Sequence, residues 1–178
     1  MKPESGKTES IWMGTFNVPV FSSLTKDTEC DVCIVGAGIS GLSSAYLLLK
    51  SGKKVVVVDD GSIAGGESSR TTAHITNVID DRYYAIEKMH GEETAKIAAE
   101  SQTAGINLIE KIITENNIEC DFQRLNGYLI FKPEERSGVL EMEYDACKRA
   151  GVEVNIASAP PYPALGDYPC LEFPKQAE

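Results

Sequence analysis

The chain has 178 residues, a net charge of −10 at pH 7, and a composition that is 42% hydrophobic and 25% charged. This length suits one domain or slightly more, and an acidic surface is repelled by nucleic acid and by anionic membranes, so we expect neither as a partner. The five cysteines follow no disulfide framework and the chain does not open with a secretory signal pattern, so we expect reduced thiols and a cytoplasmic location.

The first 29 residues combine a polar start with scattered apolar side chains, which predicts an irregular arm that packs onto another part of the protein. An apolar run at 32–35 follows, and its lack of alternation predicts a strand that is buried on both faces. Cys30 and Cys33 form a CxxC pair. Because no second CxxC or CxxH follows, we interpret Cys33 as a buried thiol in this strand and expect no metal site.

A glycine-rich turn joins this strand to an apolar-periodic helix. Gly36 allows a sharp turn, Gly38 allows the backbone to approach a pyrophosphate, and Gly41 allows the helix to pack closely on the strand. Unpaired N–H groups at the helix N-terminus would receive the phosphates. We therefore predict cofactor contacts at Gly36, Ala37, Gly38, Ile39 and Gly41.

A second apolar strand at 55–58 ends in Asp59 and Asp60, and both are predicted cofactor contacts. Asp59 stands 18 residues after Gly41, close to the spacing of about 20 at which an acid can accept hydrogen bonds from ribose hydroxyls. This acid suits NAD as well as FAD, and a βαβ unit without a nucleotide is a further alternative. A membrane span over 32–49 is disfavoured because that segment contains three glycines and three serines.

The remaining elements are predicted from caps, breakers and periodicity. A polar loop at 61–79 should lie near the carboxyl ends of the strands, where open α/β sheets bind ligands. The elements expected after it are a helix capped by Asp80 or Asp81 and ending at Met89, a helix over 92–116, two strands at 120–124 and 128–131 forming a hairpin around Asn126–Gly127, a helix from Pro133 to Ala150, a strand at 152–156, and a connecting tail at 160–174.

This order predicts an α/β fold: a Rossmann-like parallel sheet with an antiparallel excursion that begins a substrate domain. Three strands, near positions 32, 55 and 153, are predicted to form the parallel sheet. They are half of the strands in a full six-stranded arrangement. We expect an incomplete sheet, whose unpaired edge favours self-association.

With these motifs in place, the chain resembles the FAD-dependent oxidoreductases of the D-amino-acid oxidase-like superfamily. The matching segments are DVCIVGAGISGLSSAYLL, VVVVDD, GGESSRTTAHIT and RLNGYLIF. The arm SIWMGTFNVPVFSSLTKDTECDVCIVGAG is similar to members that carry a Rieske iron–sulfur domain, and the chain as a whole resembles gamma-glutamylputrescine oxidase-like and Rieske-linked members. This resemblance implies FAD as the cofactor, with a Rieske 2Fe–2S cluster, where one is present, in a region outside this chain.

The resemblance also implies that the loop carries flavin contacts, at Ser68, Arg70, Thr71, Thr72, Ala73 and His74. For His74, a structural role is an equal alternative. Relatives with covalent FAD use a histidine that aligns with Arg70, so we expect non-covalent FAD. No residue is recognisable as catalytic.

The implied function is the FAD-binding portion of an enzyme that oxidises a small-molecule amine or amino acid by hydride transfer. A non-catalytic nucleotide-binding fragment and an NAD-dependent Rossmann protein are the alternatives. The expected organisation is an arm (1–29), a Rossmann-like FAD-binding part (30–119), a hairpin that begins the substrate domain (120–132), a helix and returning strand of the FAD domain (133–158), and a Pro-rich tail (159–178).

Overall fold

The computed structural model describes residues 10–131 and 138–178. The chain divides into two compact units, the first ending at Thr72 and the second beginning at Ala73. This division falls inside the segment expected to form the Rossmann-like part, whose extent as a domain stays a prediction. Within the two described ranges, every helix is too short or too polar to cross a lipid bilayer.

The described residues form five helices, five strands and two 3₁₀ turns. The helices are α1 (Ile11–Thr15), α2 (Ile39–Lys50), α3 (Tyr83–His90), α4 (Glu92–Asn116) and α5 (Val139–Arg149). The strands are β1 (Val32–Val35), β2 (Val55–Val58), β3 (Arg124–Ile130), β4 (Asn155–Ala157) and β5 (Cys170–Ala177). The 3₁₀ turns cover Glu67–Arg70 and Pro163–Leu165.

The first unit contains a β1-α2-β2 arrangement. Strands β1 and β2 pair in parallel, with Val32 opposite Val55 and Val35 opposite Val58. Helix α2 runs between them, as the pattern of glycines and apolar residues predicts, and Gly52 follows its C-terminal end with a φ of +78°. Together with the antiparallel sheet of the second unit, this parallel pair confirms the predicted fold class.

Strand β1 is not buried on both faces, contrary to the prediction. Val32 and Ile34 are half-buried, whereas Cys33 is exposed and Val35 is 84% exposed. The reason is that the described part of this sheet has two strands, and Ile34 faces α2 close to Gly41 while the alternate side chains point away. The interpretation of Cys33 as a buried thiol is therefore wrong.

The second unit is an antiparallel three-stranded sheet, in the order β3-β5-β4, packed with α3, α4 and α5. Its buried core gathers side chains from the sheet and the three helices: Tyr83, Ile86, Ala95, Ala99, Phe131, Ala146, Cys147, Ala150, Val152, Val154, Leu171 and Phe173. This core makes the second unit a folded body with its own hydrophobic interior.

The predicted hairpin around Asn126–Gly127 does not form. Both residues lie inside strand β3, which pairs with β5 along its length, and the register shifts between Leu125 and Gly127. A Cβ on Gly127 would lie 3.1 Å from Gln176 Cγ. Glycine at this position therefore serves close packing against β5 at an irregular point of the ladder, rather than a turn.

The C-terminal region is also more ordered than predicted. The tail at 160–174 was expected as a connecting loop, but its end contributes to β5, the central strand of the sheet. Pro174 is tolerated there because β4 pairs with β5 only over Cys170–Glu172 and the β3 register is irregular beyond Phe173. The strand predicted at 152–156 is β4, and it pairs antiparallel with β5 instead of joining the parallel sheet.

The long helix predicted over 92–116 is confirmed as α4. Helix α3 begins later than predicted, with Arg82 rather than Asp80 or Asp81 at its N-cap, and Arg82 makes no side-chain capping hydrogen bond. The helix expected from Pro133 is found as α5 from Val139, and Pro133 itself lies outside the described residues.

Candidate cofactor site

The glycine turn after β1 has the backbone geometry that the motif predicts. Gly36 adopts a φ of +105°, a conformation that L side chains rarely adopt. A Cβ on Gly41 would lie 2.0 Å from the carbonyl oxygen of Gly36 and 3.3 Å from Ile34 Cγ2. Only glycine lets α2 begin this close to the end of β1.

The N-terminus of α2 presents backbone N–H groups to this turn. Its N-cap is Gly38, which has no side chain to cap the helix. The Ile39 N–H donates to Ser68 Oγ at 3.0 Å, and a Cβ on Gly38 would lie 3.2 Å from the same oxygen. The Ser68 hydroxyl therefore lies where N–H groups and the helix dipole favour an oxygen-rich, negatively charged group.

Asp59 is held against the turn by two backbone hydrogen bonds. Its Oδ2 accepts from the Ala37 N–H at 2.6 Å, and its Oδ1 accepts from the Gly61 N–H at 2.8 Å. These bonds lower the pKa of Asp59 below its ordinary value of 3.8. The bond from the Ala37 N–H has the largest effect, and desolvation acts in the opposite direction. The carboxylate is therefore charged and oriented, and it remains exposed, with lone pairs free to accept from hydroxyl groups.

An open depression of about 520 Å³ lies at the carboxyl ends of β1 and β2. It is lined by Val35, Gly36, Val58, Asp59 and Asp60. This is the edge of a parallel sheet at which open α/β folds bind ligands.

The loop after β2 is fastened to the glycine turn. The Ala64 N–H donates to the Ala37 carbonyl oxygen at 2.9 Å, which brings the loop alongside the turn. A Cβ on Gly65 would lie 2.9 Å from the carbonyl oxygen of Ser62, so any other residue there would force the loop backbone to shift. Ser69 Oγ donates to the Gly66 carbonyl oxygen at 2.8 Å and closes the 3₁₀ turn.

Two side chains in the described part of the arm donate hydrogen bonds to this loop. Ser10 Oγ donates to the carbonyl oxygen of Ser69, and Trp12 Nε1 donates to that of Thr71 at 2.7 Å. The sequence predicted an arm that packs onto something but identified neither residue. The lone tryptophan, in a polar segment 20 residues before β1, is the signal that could have indicated an anchor.

The structure brings most of the predicted site residues together in the first unit. The hydrogen bonds described above join the glycine turn, from Gly36 to Gly41, to Asp59 and Ser68, and Asp60 lines the same depression.

The other predicted site residues lie at the boundary of the two units. Arg70 is half-buried, and Thr71 and Thr72 are exposed where the first unit ends. Ala73 and His74 belong to the second unit: Ala73 has a φ of +59° and His74 is exposed. Contact of these two residues with a cofactor stays a prediction.

These features fit the adenosine and pyrophosphate parts of a dinucleotide. The close approach at Gly41 brings the first turn of α2 against the end of β1, and the helix dipole favours phosphate oxygens at this N-terminus, where Ser68 Oγ accepts from the Ile39 N–H. Asp59 supplies an acceptor for sugar hydroxyls at the same edge of the sheet.

Comparison with known proteins identifies the family. Residues 31–166, more than half of the chain, match the DAO family model, described as FAD dependent oxidoreductase. The chain belongs to this family. The recognition of a D-amino-acid oxidase-like flavoprotein is thereby confirmed, and with it FAD as the cofactor on which the family depends.

Two curated relatives are 31% and 32% identical to this chain. YhfW of Bacillus subtilis, named as a Rieske 2Fe-2S iron–sulfur protein, is 31% identical over 96% of this chain and 33% of its own length. The gamma-glutamylputrescine oxidoreductase of Escherichia coli is 32% identical over 74% of this chain and 30% of its own length. The chain thus spans about a third of these relatives.

The solved structure of an L-amino acid deaminase from Proteus vulgaris matches with a TM-score of 0.62 at 20% sequence identity. The match covers 90% of this chain and 36% of that protein. At this level of identity, it confirms the fold of the DAO-family chain and nothing finer.

Replacing Asp59 by asparagine is expected to weaken FAD binding about 10–100-fold. The carboxylate accepts from the N–H groups of Ala37 and Gly61, whereas the asparagine NH₂ would place a donor against one of them, and the negative charge would be lost. Since the pKa of Asp59 is lowered below its ordinary value of 3.8, its carboxylate is ionised throughout the range from pH 5 to 8, and its contribution is lost only in more acidic solution. FAD titration of Asp59→Asn and the parent at pH 5, 6.5 and 8 checks both points. Asp27→Asn, an exposed carboxylate of the same unit, is the control. A pH-dependent difference across this range would contradict the prediction.

Proposed function

We propose that this chain binds FAD as part of an oxidoreductase that acts on an amine or amino-acid C–N bond. The observation that carries the proposal is the connected set of hydrogen bonds at the first unit's sheet edge. Asp59 is fixed to Ala37 in the glycine turn, and Ser68 of the loop is fixed to Ile39 at the N-terminus of α2. The motif, the acid and the loop therefore act as one binding surface.

Within this proposal each segment has a defined task. The backbone from Gly36 to Gly41 holds the pyrophosphate, and Asp59 accepts from the adenosine ribose, with Asp60 beside it. The segment from Ser68 to His74 supplies hydroxyl, guanidinium and imidazole groups for the rest of the cofactor, and Ala73 leaves room for a ring. We propose that the FAD is non-covalent.

When bound, FAD supplies an acceptor for the hydride that leaves the substrate carbon beside nitrogen, and the resulting imine is hydrolysed by water. The residues described here bind and orient the cofactor, and none of them is assigned as catalytic. Support for an amine or amino-acid substrate comes from the names of the relatives, a gamma-glutamylputrescine oxidoreductase and an L-amino acid deaminase. The similarity to YhfW supports an associated Rieske 2Fe–2S cluster, with ligands from outside these residues.

The test uses the longest obtainable form of the protein, reconstituted with FAD under anaerobic conditions and mixed with diamines, N-acylated diamines and amino acids. We expect at least one class to bleach the flavin absorption and to yield the corresponding carbonyl compound with ammonia or an amine. Absence of bound flavin, or bound flavin that no member of the panel reduces, would contradict the proposal.

A non-catalytic role for the 178-residue chain itself is the second candidate, because the chain spans about a third of the catalytic relatives. In that case the chain binds FAD but oxidises none of the substrates that the longer form oxidises. Substrate oxidation by the 178-residue chain alone, at a rate comparable to that of the longer form, would exclude this alternative.

A further inference from the structure

In the described part of the arm, residues 10–29, two side chains donate hydrogen bonds to a single short segment of the cofactor loop. Ser10 donates to the Ser69 carbonyl oxygen and Trp12 to the Thr71 carbonyl oxygen, so the two contacts lie on either side of Arg70. Both acceptors are backbone atoms. The arm therefore fixes the path of the loop backbone whatever side chains the loop carries.

The helix that carries these two donors depends on the loop in return. Helix α1 is five residues long, far below the length at which an isolated helix is stable in water. Ser10 Oγ accepts from the Met13 N–H at 3.3 Å while it donates to Ser69, so one hydroxyl both caps the helix and joins it to the loop. Order in α1 and order in the loop are thus coupled.

The part of the arm that follows Met13 does not anchor the arm to other described residues. Residues 14–29 are all exposed, and Phe16 and Phe21 are 66% and 72% exposed. Among the described residues of the arm, those at 10–13 therefore attach it to the rest of the first unit.

We propose that Ser10 and Trp12 form a clamp that positions residues 68–72 and thereby sets the affinity for FAD. They are positioning residues, because they act through the loop backbone and contact neither substrate nor the reacting atoms. The mechanism is pre-organisation: Ser68 is tied to Ile39 of α2, and the clamp fixes the residues that follow it. This inference rests on the proposed function for the FAD readout, whereas the loop positioning itself is measurable without a cofactor.

The test compares Trp12→Phe, which keeps a smaller aromatic side chain and removes the N–H donor, with Ser10→Ala and with the conservative Ser10→Thr, which keeps the hydroxyl. Phe21→Leu, an exposed aromatic of the same arm, is the matched control. Two quantities are measured on the full chain: the FAD dissociation constant by flavin fluorescence titration, and amide hydrogen exchange of a peptide within 61–72 without FAD.

We expect Trp12→Phe and Ser10→Ala each to weaken FAD binding about 5–30-fold and to accelerate exchange in the loop peptide, since Trp12→Phe removes the bond to Thr71 and Ser10→Ala removes both the bond to Ser69 and the cap of α1. Ser10→Thr and Phe21→Leu should behave like the parent. If the loop exchange and the FAD affinity of Trp12→Phe both equal those of the parent, the proposal that Ser10 and Trp12 position the loop is overturned, while the proposed function stands. Accelerated exchange with unchanged FAD affinity also overturns it.

A different pattern would separate the two proposals. If the parent itself does not bind FAD, the proposed function fails. In that case, faster loop exchange in Trp12→Phe and Ser10→Ala would still support the positioning of the loop by the clamp, and unchanged exchange would overturn it.

Discussion

Substitution of Gly41 by alanine is expected to abolish measurable FAD binding, lowering affinity by about 100-fold or more. The added Cβ would lie 2.0 Å from the Gly36 carbonyl oxygen, which is backbone and cannot rotate away. Helix α2 would have to move off the end of β1, and its N–H groups would no longer converge on the pyrophosphate. Overpacking of this kind also costs about 1–3 kcal/mol of stability, or more where backbone must shift. FAD titration and thermal melting measure the two effects.

Gly105 provides the matched control for this substitution. It lies inside α4 with open space where a Cβ would be, and it is exposed. Gly105→Ala should therefore leave FAD binding unchanged and raise stability by about 0.5–1 kcal/mol, because alanine loses less backbone entropy in a helix. A Gly41→Ala protein that binds FAD within about threefold of the parent would contradict the role assigned to the turn.

Loss of the Glu143 carboxylate is expected to destabilise the second unit by about 2–4 kcal/mol. Glu143 lies on α5, is 1% exposed, and accepts from the N–H groups of Tyr83 and Tyr84 at 3.1 Å each. These are the first two residues of α3, so a carboxylate from another helix caps α3 and complements its dipole. Glu143→Ala removes the acceptor from both N–H groups, that of the buried Tyr83 and that of the half-buried Tyr84.

Chemical denaturation monitored by far-ultraviolet circular dichroism measures this loss. Glu143→Gln should fall between the parent and Glu143→Ala, because the amide retains one acceptor oxygen and places a donor against the other N–H. Glu141, on the same helix but exposed, provides the control: Glu141→Gln should change the free energy of unfolding by no more than about 0.5 kcal/mol. A Glu143→Ala protein as stable as Glu141→Gln would contradict the interhelix cap.

The first unit is predictable from the sequence because its determinants are local. Gly36, Gly41 and Asp59 lie within one short βαβ segment, and their spacing follows from the geometry of a strand, a turn and a helix. The exception is the outer face of β1, where burial depends on what covers the sheet rather than on the residues of the strand itself.

The second unit is less predictable because its determinants are distant in sequence. Asn126–Gly127 is a strong local hairpin signal, yet pairing of β3 with β5, more than 40 residues later, decides the structure. The cap of α3 likewise comes from Glu143 instead of the nearby Asp80 or Asp81. In both places a distant partner, β5 or Glu143, determines the structure against the local sequence preference.

The candidate site shows the same division. The turn, Asp59 and Ser68 follow from the motif and from the family resemblance, and the structure connects them through Ala37 and Ile39. The lone Trp12 could have indicated an anchor, but the sequence does not identify its partner, a loop 59 residues away that Ser10 also contacts. Tertiary contacts of single polar atoms are therefore the part of the site that needed the structure.

The visible absorption spectrum of the purified chain, after incubation with FAD and removal of free cofactor, tests FAD binding most directly. We expect flavin bands that remain with the protein and, for the non-covalent FAD that we propose, pass into the supernatant when the protein is denatured. A colourless protein after this treatment, or one that retains NAD and ignores FAD, would contradict FAD binding by this chain.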